Sequence, residues 1–136
     1  MAEATQAELQ LIKNAGSAPP PDNLIASPSG AIHVDLAKIS TQGEFKRGTL
    51  FMAGADGYIP ATQAGLTTAN NFCILCDDIT IGENEFIETP AYFEGDFHDS
   101  EVIFAFETEN DDHDSIIELA REPLRKCKIF LRHSHI

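Results

Sequence analysis

Two segments set the terms for this chain: FKRGTLF at residues 45–51 and YFEGDFH at residues 92–98. In both, apolar side chains alternate with polar or small ones, the period of a strand that buries one face. Glycine and proline punctuate what lies between them. Residues 45–106 therefore read as a small β domain. No nucleophile, base and oxyanion donor are brought together by any motif in it, and the chain carries no GxSxG elbow, P-loop or dinucleotide fingerprint. The pattern points to a surface that binds, so neither a catalytic residue nor a cofactor is expected.

A chain of 136 residues is about one domain long, enough to bury roughly two thirds of its unfolded surface in a single core. No apolar run reaches the roughly 18 to 20 residues of a membrane span, so no membrane partner is expected. The opening MAEATQAELQ has neither a basic n-region nor an apolar h-region, which predicts a protein without a secretory signal.

Charge is the most skewed quantity. Twenty-two acids against nine lysines and arginines give a formal net charge of -13. Between Arg47 and Arg121 the chain has sixteen acids and neither lysine nor arginine. Such a surface repels phosphate backbones, so direct nucleic-acid binding is disfavoured. Residues 121–136 reverse the sign, with Arg121, Arg125, Lys126, Lys128 and Arg132 against Glu122. This basic tail can pair with a neighbouring subunit's acids or remain a solvated strand edge.

In chain order, residues 14–28 are rich in glycine, serine and proline, a composition that favours extended backbone and opposes packing. Residues 1–30 read as an arm, either a solvated tail or a segment that orders on a partner with Leu9, Leu11, Ile12, Leu24 and Ile25 as anchors. Residues 31–136 form the β-rich domain. Within it, AIHVDLA (residues 31–37) sets Ile32, Val34 and Leu36 against His33 and Asp35, the mark of a first strand or extended link. Residues 45–52 follow as one strand, and Asp56-Gly57 makes a hairpin turn to a return strand that Pro60 ends.

Residues 61–71 are a polar connection, and FCILC (residues 72–76) is a buried strand. Pro90 predicts a bulge or an edge between residues 85–87 and 91–97. VIFAF (residues 102–106) fits a strand or a turn of helix. A helix is predicted over residues 114–122, capped by Asp112 or Asp114 and limited by Pro123, before a strand at residues 127–131.

Cys73 and Cys76 have the spacing of a zinc half-site or a redox pair. In a strand, however, residues three apart face opposite ways, so they are expected to be core thiols, with no metal held by them and Cys127, His133 or His135. Three cysteines also argue against a disulfide framework. Asp111, Asp112 and Asp114 lack the glycine and distal glutamate of an EF-hand and fit a helix cap. His98 is a possible base with no visible nucleophile.

Taken together, KRGTLF (residues 46–51) with GYIP (residues 57–60), FCILCDD (residues 72–78), YFEGDFH and a helix running into LRKCKIFL (residues 124–131) occur in an order that resembles the bacteriophage head decoration proteins of the lambda D type. The resemblance covers residues 45–132. Here Gly95-Asp96-Phe97-His98 replaces a G-E-F-N element, and Cys127 stands where a glycine is usual. The resemblance implies a mostly β (α+β) domain, a small β-barrel or β-tulip with one short helix in its C-terminal half and an extended N-terminal arm. It also implies a non-enzymatic homotrimer on the outer face of a phage head, with the major capsid protein as partner and the arm laid against it. Arg47, Gly48, Thr49, Glu94, Gly95, Phe97 and His98 then become the motif residues of the trimer-forming β domain. A head-fibre base or tail module, and a small β-barrel enzyme using His98, are the rival expectations.

Overall fold

A computed structural model describes residues 24–26, 32–69 and 71–133. In chain order its elements are β1 (His33–Ile39), β2 (Gly43–Phe45), β3 (Leu50–Gly54), β4 (Gly57–Pro60), α1 (Gly65–Thr68), β5 (Phe72–Leu75), β6 (Ile79–Ile81), β7 (Ile87–His98), α2 (His113–Lys126) and β8 (Ile129–Arg132). The strands run β1-β4-β3-β5-β7, and β7 pairs back with β1, which closes a five-stranded barrel. β8 adds to the C-terminal half of β7 in parallel, and β2 pairs with β6 as a separate ribbon. The expected small β-barrel with one substantial helix is the observed fold.

Strand alternation divides the apolar residues into two layers. Ala37, Ile39, Phe51, Cys73, Leu75 and Ala91 point into the barrel, where Ile81 and Phe45 of the β2–β6 ribbon join them. Leu50, Met52, Phe72, Ile74, Tyr92 and Phe97 point outward from the same strands, and Ile116, Ile117, Ala120 and Leu124 of α2 cover them. β5 is therefore buried on both faces, which is why its sequence is apolar without alternation. α2 buries one stripe at helical spacing, and Arg125 and Lys126 in its last turn complement the helix dipole.

Several local expectations are corrected. Residues 45–52 are two strands, because Gly48 turns the chain at φ +98°. A Cβ there would lie 2.9 Å from the Glu101 carbonyl oxygen, so only glycine fits. The hairpin at Gly57 is as expected, with φ +96° and the Lys38 carbonyl oxygen 2.6 Å from where a Cβ would sit.

β7 runs unbroken through Pro90, and the register shift falls instead at His33/Val34. Cys76 N–H donates to the Pro90 carbonyl on the β5 side. The missing proline N–H thus faces a neighbour that has already ended at Leu75. The connection at residues 61–71 holds the short α1, and residues 102–106 form neither strand nor helix: Ile103 makes an isolated bridge to Thr49 while Val102 and Phe104 are buried in the core.

α2 extends past Pro123 to Lys126, since Leu124 is fully buried and its packing offsets a proline's cost of roughly 3 kcal/mol. Asp112 is its N-cap residue, though its carboxylate accepts from the Ser115 hydroxyl and not from a backbone N–H. The left-handed position where a glycine is favoured after this helix is Lys128, at φ +66°, and not Cys127.

Candidate interaction surface

The two segments that define the domain meet at Arg47. As the β2–β3 connection turns, its N–H donates to the Asp78 carboxylate at 2.8 Å. Its guanidinium donates to the Cys76 carbonyl oxygen at 2.8 Å and to the Tyr92 hydroxyl at 2.9 Å, lying 5.5 Å from the Tyr92 ring centre. Burial raises the Tyr92 phenol, while the hydrogen bond and charge of Arg47 work against that rise.

Thr49 is buried and donates to the Lys46 carbonyl oxygen at 2.7 Å, and Gly48 N–H donates to the Leu75 carbonyl oxygen at 3.0 Å. These motif residues tie the β2–β3 turn to the end of β5 and the middle of β7. Glu94 is half-buried opposite His33, Gly95 is buried opposite Ile129, and Phe97 is fully buried in the outer layer. His98 is half-buried, and its N–H donates to the Leu24 carbonyl oxygen at 2.8 Å. Sequence reasoning passed over Tyr92 as a partner of Arg47, although each lies in one of the two motifs.

Of the expected arm anchors, Leu9, Leu11 and Ile12 lie outside the described residues. Leu24 and Ile25 are placed on the domain itself: Leu24 is 2% exposed within the outer core, and Ile25 bridges to Phe97. Ala26 N–H completes this short rung by donating to the Asp96 carbonyl oxygen at 2.9 Å. Leu24 and Ile25, expected in the arm, thus pack on the β domain. The apolar pair Leu24-Ile25 stands out in the sequence, but its proline-rich neighbourhood hides that it packs on its own domain.

The cysteines are free thiols, with Cys73 buried and Cys76 and Cys127 half-buried. Burial, with the neighbouring Cys76, pushes Cys73 up to about 12, and burial pushes Cys76 up to about 11. Among the described residues no group of three or more His, Cys, Asp or Glu is arranged to hold a metal ion. No helix among them is long and apolar enough to cross a membrane.

The arginines of the C-terminal stretch are partnered within the chain. Arg121 pairs with Asp99 and Glu118 and donates to the Leu131 carbonyl oxygen. Arg125 pairs with Glu122, and Arg132 pairs with Asp96 while stacking over Phe130. They line a groove of about 350 Å³ between α2 and β8 whose charge is largely compensated. Nearby, His113 at the start of α2 bridges the Glu107 carboxylate (2.9 Å) and the Asp99 carbonyl oxygen (3.0 Å).

The surface at β1 differs. Val34 and Leu36 of β1 are 49% and 58% exposed, whereas their neighbours Ala37 and Ile39 are buried. The first strand therefore turns its Val34-Leu36 face to solvent, the reverse of what apolar alternation alone implies. Phe86, 61% exposed, lies under the Lys38 ammonium at 4.9 Å.

Compared with the sequence profiles of known protein families, the chain matches none, and no curated protein is significantly similar to it.

Proposed function

We propose that this protein decorates the outer surface of a phage head, binding the major capsid protein as homotrimers at threefold or quasi-threefold positions and stabilising the shell against internal pressure. The observation that carries the reading is the meeting of the two segments on which the resemblance rests: Arg47 of KRGTLF hydrogen-bonds Tyr92 of YFEGDFH. Their order along the chain thus corresponds to one joint in a small barrel.

Physical reasoning supports the role. A protein that binds only the assembled lattice raises the free energy of disassembly by mass action. Three arms engaging together add avidity. Leu9, Leu11 and Ile12 supply apolar anchors whose burial offsets the entropy of ordering an arm. A net charge of -13 keeps decorated particles mutually repulsive and away from free nucleic acid.

Because Leu24 belongs to the core, the informative truncation removes residues 1–23 and stops there. The shortened chain is expected to keep its circular dichroism and unfolding midpoint but to lose co-sedimentation with expanded capsid shells. Unchanged occupancy of the shells would count against the arm.

A further inference from the structure

We propose that the outer edge of β1 is a docking site for an extended, cationic strand of a partner protein, added to the barrel by main-chain pairing. This rests on the geometry of β1 and not on the decoration reading.

β1 and β4 meet at a single rung, Ile39 opposite Tyr58. β4 begins at Gly57, one residue before that rung, so toward His33 β1 runs past it, and among the described residues no other strand pairs with that edge of β1. The main-chain groups on that edge can be identified. Leu36 stands opposite Pro90, whose carbonyl is engaged by Cys76 on its far side, so Leu36 directs its N–H and C=O away from β7. Lys38 follows the same parity, its carbonyl oxygen lying against Gly57 of β4. Two and four residues earlier, Leu36 and Val34 present the same groups with no strand beside them. The Leu36 N–H is held at 2.7 Å by the carboxylate of Asp35, in the place a partner's carbonyl would take.

A bare strand edge invites pairing, and natural proteins usually blunt it with charge, proline or a covering element. Here the side chains flanking the edge are Val34 and Leu36, both exposed, with exposed Pro90 on the adjoining strand. Main-chain groups with alternating apolar side chains are the elements of strand addition.

Charge selects the partner. Glu88, opposite Lys38, shares the Val34–Leu36 face, Asp35 lies on the other face with His33 4.0 Å away, and Lys38 is already paired with Asp56 at 3.2 Å. An incoming strand that alternates apolar with basic residues places its apolar side chains beside Val34 and Leu36 and its cations on the other face, beside Asp35.

The test uses the intact protein and a short blocked peptide alternating valine with lysine. Binding is followed by fluorescence anisotropy and by protection of the Leu36 amide from hydrogen exchange. The peptide is expected to bind and to protect Leu36. Affinity should fall about tenfold or more, roughly 1.4 kcal/mol, when glutamate replaces lysine or when alternate peptide nitrogens are methylated to remove the donors. Leu36→Pro, which removes a donor only from the free edge, should weaken binding similarly. Failure of the lysine peptide to bind overturns the proposal. So does equal binding of the methylated or glutamate peptide, and these arms need no protein variant to fold.

Discussion

The Arg47 guanidinium and the Tyr92 hydroxyl, 2.9 Å apart, join the β2–β3 turn to the middle of β7. Hydrogen bonds to charged groups contribute about 1.5–3 kcal/mol, so Arg47→Ala is expected to cost about 2–3 kcal/mol in denaturant unfolding and Tyr92→Phe about 1–2 kcal/mol. The two effects share an interaction, and a double-mutant cycle should return a coupling of about 1 kcal/mol. Strict additivity would mean that the contact contributes nothing.

Lys128 holds a left-handed backbone at φ +66° directly after the Cys127 cap, where its N–H donates to the Arg125 carbonyl oxygen at 2.9 Å. A side chain there costs about 1 kcal/mol that glycine avoids. Lys128→Gly is therefore expected to raise the unfolding midpoint. A loss of stability would show that the lysine side chain outweighs its backbone strain.

Leu24 is packed among the residues beneath α2. Leu24→Ala should cost about 2–4 kcal/mol, as large-to-small core changes do. The same substitution at Leu9 is expected to lower capsid binding while leaving the unfolding midpoint in place. Equal destabilisation by the two would erase the distinction between domain and arm.

His113 contacts two acceptors, the Glu107 carboxylate and the Asp99 carbonyl oxygen, so both ring nitrogens donate when the imidazole is protonated. Burial lowers its pKa, but the hydrogen bonds to Asp99 and Glu107, with the charges of Glu107 and Asp114, outweigh burial and raise it. A raised folded pKa stabilises the folded state fully below the unfolded value of about 6.5, and that contribution is lost as pH rises through the folded value. The stability gap between the natural protein and His113→Ala, measured by denaturation across this range, should shrink with rising pH. A gap that widens would contradict the sign.

Much of the barrel was legible because its signals are local. Alternation marked β3 and β7, an unbroken apolar run marked β5, Asp56-Gly57 marked the hairpin, and helical spacing marked Ile116, Ile117, Ala120 and Leu124. What was hidden depends on neighbours distant in sequence. Gly48 breaks a strand because the Glu101 backbone passes close by, and Pro90 fits within one because β5 ends beside it. Leu24 lies in a proline-rich stretch, yet its carbonyl meets His98 across the sheet. Val34 and Leu36 alternate like buried residues and face solvent, since burial is decided by which wall of the barrel α2 covers. The motif residues themselves were visible in sequence, but their placement shows most of them holding the barrel together.

The central claim is that this chain sits on the outside of a capsid, and image reconstruction of a phage particle carrying it tests that most directly. The account predicts density for the barrel as trimers at the threefold and quasi-threefold positions, with residues 1–23 traced against the major capsid protein. Density for the chain at the tail, inside the shell, or as monomers away from those axes would contradict it.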